Sequence, residues 1–235
     1  MPVDVLFFGA HPDDVEWGAG GIALTLADQK VSFGIIDLTA GEMGSRGTPG
    51  ERALEAQHAA EVLGSAAREN LNMPDCSVVD SPENRYRVAE AIRKHKPRIV
   101  MAPYWKDRHP DHAAAGTILR NSALYCTLTK SHSEYPPHKP HAFFYYLLHQ
   151  FRRPSFVVDI SGVYPRKVEL LKLHRSQFAK TADELGIQAH GMSDYLFGLE
   201  SRDRYFGSLI GKHHGEALIA DRPIALTSLT QLLSL

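Results

Sequence analysis

The sequence predicts an α/β fold, a mainly parallel sheet flanked by helices, in a single domain that spans residues 1–235. Two observations lead to this prediction. Short apolar runs recur along the chain and are typical of strands that are buried on both faces. These runs alternate with helical segments of about a dozen residues, and such alternation favours right-handed crossovers between parallel strands. We find no repeat, low-complexity tract or linker that would mark a domain boundary.

The N-terminal elements are the clearest. Acidic residues are favoured at a helix N-terminus, so a helix is predicted after the pair Asp13-Asp14. A Gly-rich stretch after the second strand predicts a surface loop. The predicted elements are, in order, a strand from Val3 to Phe8, a helix from Val15 to Ala27, a strand from Val31 to Leu38, a loop from Thr39 to Gly50 and a helix from Glu51 to Leu63.

The rest of the chain continues the alternation. Three prolines between Thr129 and His141 predict an ordered loop rather than a hinge. The remaining predicted elements are a helix from Pro82 to His95, a strand from Arg98 to Pro103, a helix from Ala113 to Leu124, strands from Ala142 to Leu148 and from Phe156 to Ile160, and helices from Val163 to Phe178 and from Tyr195 to Leu209.

Composition excludes several classes of function. With 26 Lys and Arg against 27 Asp and Glu the net charge is −1, which argues against nucleic acid or an anionic membrane as a partner. Neither a signal peptide nor an apolar run of about 18 residues occurs, so we expect a cytoplasmic protein without a transmembrane helix. Two cysteines, Cys76 and Cys126, are too few for a disulfide framework or a Cys-type zinc site. The unusual feature is the number of histidines, 13.

Imidazole and carboxylate side chains cluster after two of the predicted strands. Residues 9–16, with the sequence GAHPDDVE, follow the first strand directly. Residues 107–112, with the sequence DRHPDH, follow the strand that ends at Pro103. Ligands of open α/β sheets bind beyond the carboxyl ends of the strands. The predicted fold therefore brings the two clusters together at one edge of the sheet.

These side chains are suitable ligands for a transition metal. A catalytic zinc uses three protein ligands and keeps one position for water, and two imidazoles with one carboxylate fit iron(II) as well. His11 and Asp14 are three residues apart across a turn, which allows chelation, and Asp13 would then face the water as a base. The residues alone do not decide between Asp13 and Asp14, or between His109 and His112, as ligands.

Structural explanations compete with this hypothesis. A single His-Asp pair at a strand end is usually a turn and a helix cap, but two such clusters at two strand ends favour a metal site. Gly18-Ala19-Gly20-Gly21 is similar to a phosphate loop, yet carboxylates occupy the turn before it, so we predict close helix-to-strand packing for these glycines. Eight other histidines are predicted to lie on helix surfaces, in a loop or near the C-terminal surface: His58, His95, His174, His132, His138, His141, His213 and His214.

Several segments together resemble one known family. Residues 10–14, AHPDD, and 109–112, HPDH, carry the resemblance, and residues 37–42, 45–52, 69–75, 102–108, 154–161 and 176–178 extend it. These motifs are similar to those of the LmbE-like, or PIG-L, family of zinc-dependent N-acetylglucosaminide deacetylases. The flanking segments are most similar to the bacillithiol-pathway branch, which removes acetyl from N-acetylglucosaminyl-malate. Trp17 and Lys106 depart from the family pattern, which has an aliphatic and an acidic residue there.

The resemblance implies a Rossmann-like fold and a role for each residue of the two clusters. Asp13 would be the general base that takes a proton from the water activated by zinc. A protonated His109 would stabilise the oxyanion together with zinc, and Asp111 would pair with His109 and keep it charged. The resemblance implies as zinc ligands His11, Asp14 and His112.

The substrate and the partners are predicted in less detail. Arg52 and Arg108 are expected to bind the carboxylates of a malate aglycone, and Tyr195 is expected to reach the pocket. The loop from Gly41 to Gly50 is expected to form a rim or lid. Family members assemble as trimers and hexamers, so the resemblance implies a homo-oligomer. Two alternatives are a deacetylase or amidase for another N-acetylglucosaminide or a thiol conjugate, and a non-catalytic sugar- or nucleotide-binding module.

Overall fold

Seven strands of the described residues form one sheet. The computed structural model describes residues 1–178, 192–225 and 228. The strands are β1 (Val5–Gly9), β2 (Phe33–Asp37), β3 (Ala67–Asn70), β4 (Ile99–Pro103), β5 (Ala142–Tyr146), β6 (Phe156–Asp159) and β7 (Gly215–Ala220). Their order in the sheet is β3-β2-β1-β4-β5-β7-β6.

Helices lie between the strands in the described part of the chain. They are α1 (Asp14–Asp28), α2 (Pro49–Leu63), α3 (Pro82–His95), α4 (Pro110–Tyr125), α5 (Tyr164–Leu171), α6 (Arg175–Phe178) and α7 (Met192–Ser208). Among the residues described, none of these helices has the length and apolarity needed to cross a membrane.

The strand pairing confirms the predicted fold class. Strands β3, β2, β1, β4 and β5 are parallel neighbours, and Phe7 of β1 lies beside Ile35 of β2 and Met101 of β4. Strand β7 runs antiparallel to both β5 and β6. The sheet is therefore mainly parallel, with one antiparallel strand near its far edge.

The central strand β1 shows why the strands are apolar on both faces. Leu6 and Phe8 pack on one face with buried residues of α3 and α4. Val5 and Phe7 pack on the other face with α1 and α5. All four side chains are at most 3% exposed. Burial of each contributes about 1.5–3 kcal/mol to stability, so the two cores on either side of the sheet depend on this alternation.

The sequence prediction omits strands β3 and β7. All four residues of β3 are partly exposed, and three of them are polar, so no apolar run marks this edge strand. The side chain of Arg68 in β3 is buried nevertheless, because it forms ion pairs with Glu16 and Asp37. Strand β7 contains only a short apolar core and is recognisable as a strand only through its pairing with β5 and β6.

Two helices differ from the prediction in ways that matter for the site. Helix α4 begins at Pro110, not at Ala113, because proline is well suited to the first helical position. The helix predicted from Val163 to Phe178 is two helices, α5 and α6. The break between them allows His174 to bury its ring, with Nε2 3.3 Å from Glu16 Oε1.

Helix α1 contains a break at Ala19, whose φ of −143° and ψ of 16° are not helical. A break of this kind leaves backbone N–H groups of the next turn without intrahelical acceptors. The carboxylate of Glu216 in β7 replaces them, since it accepts from the N–H of Gly21 at 2.8 Å and of Ile22 at 2.7 Å. The second half of α1 is thus capped by a side chain from the sheet.

A buried ion cluster, made of Lys167, Arg202, Asp203 and Glu216, surrounds this break. Lys167 Nζ lies 2.6 Å from both Asp203 Oδ2 and Glu216 Oε1, and these three side chains have no exposed surface. Arg202 donates from Nη2 to the carbonyl of Trp17 at 2.6 Å, which satisfies a backbone group at the break. The cluster therefore fixes the direction of α1 just beyond the turn that carries His11 and Asp14.

The glycines of α1 confirm the predicted close packing. A Cβ atom at Gly18 would lie 2.3 Å from the ring of Tyr146 in β5. A Cβ atom at Gly21 would lie 2.7 Å from Ile160, the residue after β6. Any larger side chain would push α1 away from the sheet and so displace the turn that precedes the helix.

Candidate metal centre and active site

The predicted ligands come together where β1 and β4 end, because these two strands are parallel neighbours. The turn after β1 carries His11 and Asp14, and the first turn of α4 carries His112. Asp14 Oδ1 lies 3.2 Å from His112 Nε2, and Asp14 Oδ2 lies 3.6 Å from His11 Nδ1. One carboxylate thus contacts both imidazoles.

The backbone holds Asp14 in this position. Its Oδ2 accepts hydrogen bonds from the N–H of Ala10 at 2.8 Å and of His11 at 3.0 Å. Both donors belong to the turn after β1, which brings them close to the start of α1. These two bonds leave Oδ1 as the oxygen that faces His112.

Each imidazole is oriented by a carboxylate on its other nitrogen. His112 Nδ1 lies 3.1 Å from Asp107 Oδ1. His11 Nε2 lies 3.1 Å from Asp75 Oδ1 and 3.4 Å from Asp111 Oδ2. Histidine ligands of metals commonly donate their second N–H in this way, which fixes the tautomer. On this assignment from the hydrogen bonds, His112 Nε2 and His11 Nδ1 are the nitrogens left for a metal.

The carboxylates around His11 and His112 stabilise positive charge at this centre. Burial lowers the pKa of His11, but hydrogen bonds with three carboxylates outweigh burial and raise it to about 12. Burial also lowers the pKa of His112, while Asp14 and Asp107 raise it to about 9. Burial raises the pKa of Asp14, but the two imidazoles hold it well below its ordinary value. A divalent cation would replace the protons that the imidazoles hold.

The donor set fits a catalytic transition metal. Two imidazoles and one carboxylate converge in His11, His112 and Asp14, which is the ligand type of open zinc and iron(II) sites. One ring nitrogen each of His11, His109 and His112 lies within 4.8 Å of the others. His109 is therefore close enough to act on the same bound molecule as the ligands.

Asp13 lies beside the ligands and lines the same cavity. Burial raises the pKa of its carboxyl group, and the positive charge of Arg52 opposes this rise. Arg52 Nη2 lies 3.3 Å from Asp13 Oδ1. A carboxyl with a raised pKa beside a metal centre is suited to act as a general base.

Contacts within the protein hold the guanidinium of Arg52. It is only 5% exposed, and its Nη1 donates to the carbonyl of Gly41 at 3.1 Å. Gly41 has a φ of +66°, and a Cβ atom there would lie 2.1 Å from Nη1 of Arg52. The guanidinium is thus engaged with Asp13 and the Gly-rich loop. Arg52 is therefore placed to position Asp13, and because it also lines the cavity, its role in binding a substrate carboxylate stays a prediction.

The predicted side-chain pair between Asp111 and His109 is not what the structure shows. His109 is the N-cap of α4, and its Nδ1 accepts a hydrogen bond from the backbone N–H of Asp111 at 3.2 Å. The Asp111 carboxylate instead accepts from Cys76 N at 2.8 Å and lies near His11. Burial and the neighbouring His112 lower the pKa of His109. Because Nδ1 accepts this backbone hydrogen bond, Nε2 is the ring nitrogen that can donate.

The sequence analysis assigned no role to three residues of the site. Asp75 and Asp107 orient the two imidazole ligands, and His149 donates its backbone N–H to Asp107 Oδ2 at 3.2 Å. The ring of His149 stacks on His112 with an interplanar angle of 2°. Asp107 is the first residue of the second cluster, so its charge was a signal. His149 follows β5 with no motif around it, and only the fold brings it to the site.

The cavity at this centre has a volume of about 680 Å³, which is in the range of small-molecule sites. The cavity lining includes all three residues that were predicted to bind substrate, Arg52, Arg108 and Tyr195, with Arg108 exposed at the rim and Tyr195 partly buried. The loop after β2 forms another part of the rim. Arg46 Nη1 donates to the carbonyl of Gln177 at 2.8 Å, and Gln177 Nε2 donates back to the carbonyl of Arg46 at 2.7 Å. The loop is therefore tied to α6.

Two histidines outside the site are buried, contrary to the prediction of solvated helix surfaces. His95 is 1% exposed, with Nε2 2.9 Å from Glu69 Oε1. His174 has no exposed surface and lies beside Glu16. His95 lies in the last turn of α3 and His174 between α5 and α6, and in each case a carboxylate beside the ring compensates for its burial. His58 is exposed, as predicted.

Comparisons with known proteins agree with this site. The conserved protein TT1542 from Thermus thermophilus has a similar structure, with a TM-score of 0.86, 35% identity, and 96% of this chain and 97% of that chain covered. Diacetylchitobiose deacetylase of Thermococcus kodakarensis is 29% identical over 91% of this chain and 81% of its own. The probable N-acetyl-alpha-D-glucosaminyl L-malate deacetylase 2 of Bacillus anthracis is 26% identical over 77% of this chain and 84% of its own.

The family model described as PIG-L, GlcNAc-PI de-N-acetylase, matches residues 6–123, which is half of the 235-residue chain. The matched range contains both clusters, from His11 to His112. On this match and the structural similarity, the chain belongs to the PIG-L family.

Proposed function

We propose that the protein is a metal-dependent hydrolase that removes the acetyl group from an N-acetylglucosaminide. The observation that carries the proposal is the convergence of His11, Asp14 and His112 beside the carboxylate of Asp13 in one cavity. The relatives named as deacetylases of N-acetylated sugars support the same reaction.

His11, Asp14 and His112 would hold the metal, with zinc as the expected ion and iron(II) as the alternative for the same donor set. When bound, such a metal supplies Lewis-acid polarisation of the acetamide carbonyl and lowers the pKa of water. Asp107 and Asp75 keep the two imidazoles in the tautomers that face the centre.

The residues around the centre supply the proton transfers. Asp13 takes a proton from the attacking water, since burial raises the pKa of its carboxyl. His109 donates from Nε2–H to the oxyanion that develops on the acetamide carbonyl. Asp13 then returns the proton to the departing amine. Arg52 keeps the Asp13 carboxylate aimed at this position through its 3.3 Å contact.

The group attached to the glucosamine has two candidates. One is malate, as the bacillithiol-pathway resemblance implies, and Arg108 at the cavity rim is the exposed cation that favours it. The other is a second sugar, as in the substrate named for the Thermococcus kodakarensis relative. Arg52, the other predicted arginine, also lines the cavity and contacts Asp13 and the carbonyl of Gly41 there.

Acetate release tests the proposed reaction. Zinc-loaded protein is incubated with N-acetylglucosamine, N,N'-diacetylchitobiose and N-acetylglucosaminyl-malate, and free acetate is measured. We expect acetate from at least one substrate. Asp13→Asn should lower kcat by about 10²–10⁴-fold while metal content, measured by mass spectrometry, stays the same.

Failure to release acetate from every substrate would overturn the proposal. A non-catalytic sugar- or nucleotide-binding module would bind its ligand without hydrolysis, and His11→Ala would leave its affinity unchanged. A deacetylase or amidase for other conjugates would show activity only when the panel is extended to thiol-conjugate amides.

A homo-oligomer, trimeric or hexameric by family resemblance, is the assembly we propose. Phe151, Tyr205 and Leu209 are 57%, 47% and 50% exposed, and the rings of Phe151 and Tyr205 are in contact at 5.2 Å. An exposed apolar surface of this kind is typical of an interface. Light scattering after size exclusion should give a multiple of 26.1 kDa, and a monomer would contradict the proposal.

A further inference from the structure

Asp107 binds two imidazoles at the edge of the metal centre. Its side chain is only 3% exposed, and Oδ1 lies 3.1 Å from Nδ1 of His112 and 3.1 Å from Nδ1 of His149. The backbone N–H of His109 donates to the same oxygen at 2.9 Å, and the backbone N–H of His149 donates to Oδ2 at 3.2 Å. One buried carboxylate thus holds both a proposed metal ligand and a second imidazole, that of His149.

The ring of His149 is fixed from two sides. Its plane lies parallel to that of His112, with an interplanar angle of 2° and ring centroids 5.2 Å apart. The bond from Nδ1 to Asp107 sets the rotation of the ring within that plane, and the backbone N–H of His149 is bonded to the same carboxylate. The other ring nitrogen, Nε2, therefore has a fixed position before any ligand arrives, which reduces the entropy that binding costs.

Nε2 of His149 is the polar atom of this ring that remains free. In the described part of the chain no residue forms a hydrogen bond with it, and it is not one of the buried polar atoms left without a partner. The side chain is 25% exposed, and His149 lines the cavity of the metal centre. Nε2 is therefore open to a ligand in that cavity.

The hydrogen bond with Asp107 determines what Nε2 can bind. A carboxylate only accepts hydrogen bonds, so His149 donates its Nδ1–H. On this assignment from the hydrogen bonds, Nε2 carries a lone pair in the neutral ring and accepts from an N–H or O–H group. The bond to Asp107 thus uses one nitrogen of His149 and leaves the other as an acceptor that no described residue occupies.

The substrate of the proposed reaction carries one free hydroxyl group next to the reacting amide. The ring carbon that bears the acetamide has two neighbours: one forms the glycosidic bond, and the other carries the 3-hydroxyl group. The acetamide is expected at the metal held by His11, Asp14 and His112, and the ring of His149 stacks on that of His112. Of the hydroxyl groups of the sugar, the 3-hydroxyl is therefore the one we expect beside His149.

We propose that Nε2 of His149 accepts a hydrogen bond from the 3-hydroxyl group of the N-acetylglucosaminide, which makes His149 a specificity-determining residue. An N-acetylated sugar that lacks this hydroxyl group, or carries a substituent on it, would bind less well, because Nε2 would lose its partner. This inference rests on the proposed deacetylase function, which places the acetamide at the metal.

Two substitutions separate the roles of the two nitrogens of His149. The side-chain amide of asparagine lies where Nδ1 does, so His149→Asn keeps a donor for Asp107 and lacks an acceptor at the Nε2 position. Glutamine reaches the Nε2 position, so His149→Gln keeps the acceptor and loses the donor. His58→Asn is the matched control, because His58 is an exposed residue of α2 that does not line the cavity.

Acetate release is measured with N-acetylglucosamine and with 3-deoxy-N-acetylglucosamine. The protein without substitutions should have a KM about three- to tenfold lower for the sugar that carries the hydroxyl group. This preference should disappear in His149→Asn, whose zinc affinity stays unchanged, and persist in His149→Gln and His58→Asn. Loss of the preference in His149→Gln with full preference in His149→Asn would overturn the proposal, since it would show that His149 acts only through Asp107.

A binding experiment separates this proposal from the proposed reaction. Both sugars are titrated calorimetrically into zinc-loaded Asp13→Asn protein, with and without His149→Asn, which requires no turnover. Tighter binding of N-acetylglucosamine than of the 3-deoxy sugar to Asp13→Asn, with equal binding of the two to Asp13→Asn/His149→Asn, supports the hydrogen bond even if no acetate is released. Equal affinities of the two sugars for Asp13→Asn, binding of neither, or a difference that persists in the double variant would overturn it even if acetate is released.

Discussion

Replacing Lys167 by Met would leave two buried carboxylates without their shared cation. The ammonium of Lys167 lies 2.6 Å from Asp203 Oδ2 and from Glu216 Oε1, and none of the three side chains has exposed surface. Removal of one partner from a buried ion pair costs about 3–5 kcal/mol, because the remaining charge can be neither solvated nor paired. We expect Lys167→Met to lower the free energy of unfolding by about this amount.

A second lysine provides the matched control. Lys172 pairs with Glu169 at 2.7 Å, a similar distance, but the two side chains are 42% and 71% exposed. Water solvates either charge when its partner is removed, so Lys172→Met should change stability by about 0–1 kcal/mol. The difference between the two variants isolates the effect of burial, since both remove one lysine from the same region.

Urea unfolding followed by circular dichroism measures the effect, and calorimetry gives the melting temperature. For a chain of this length about 1 kcal/mol corresponds to 2–4 °C, so Lys167→Met should melt roughly 6–20 °C lower. A loss below about 1 kcal/mol for Lys167→Met, or an equal loss for Lys172→Met, would refute the reasoning.

The pH dependence of the same variant gives a further check. Burial already raises the pKa of Glu216, and loss of Lys167 removes the nearest charge that lowers it. A carboxyl whose folded pKa is raised favours the folded state below its unfolded pKa of about 4.3, and this contribution is lost as the pH rises. The deficit of Lys167→Met should therefore be larger at pH 7 than at pH 5. Lys167→Met/Glu216→Gln should recover part of it.

Two predictions concern the metal centre. Asp107→Asn removes the carboxylate that orients His112 through a 3.1 Å contact, so zinc affinity should fall about 10–100-fold in competition with a chromophoric chelator. Asp28→Asn, at a half-exposed surface pair, should leave the affinity unchanged, and an equal effect of both variants would contradict the role of Asp107. Metal binding should release protons below pH 9, because the pKa of His112 is about 9, and affinity should therefore fall as the pH is lowered. Calorimetry in buffers of different ionisation enthalpy measures the protons, and an affinity independent of pH between 6 and about 9 would contradict this expectation.

Local sequence pattern predicted the fold class because most strands are apolar on both faces. Val5 to Phe8 must fill two cores at once, and that requirement is visible in the residues themselves. Strand β3 is polar because Arg68 forms ion pairs with Glu16 and Asp37, residues of other elements. Such a strand is defined by its neighbours, so the pattern of its own residues does not reveal it.

The candidate ligands were predictable for a similar reason. His11, Asp14 and His112 lie at the ends of predicted strands, and the topology of a parallel sheet brings those ends together. The partners of these ligands were not predictable, because Asp75 and His149 reach the centre from loops whose course depends on the whole fold. The expected side-chain pair of Asp111 with His109 does not form, because Asp111 has nearer partners in Cys76 and His11, and the expected contact of Arg52 with substrate stays a prediction.

The sequence by itself determined the α/β class, the residue types of the proposed metal site and their proximity at one edge of the sheet, because these depend on hydrophobic periodicity and on side-chain chemistry. Only the tertiary structure decided which nitrogen of each imidazole faces the centre. It also placed Arg52 in contact with Asp13, and Trp17 beside Tyr195 at the cavity. These features depend on distances of about 3–6 Å between residues remote in sequence, and packing and hydrogen bonding set such distances only once the chain is folded.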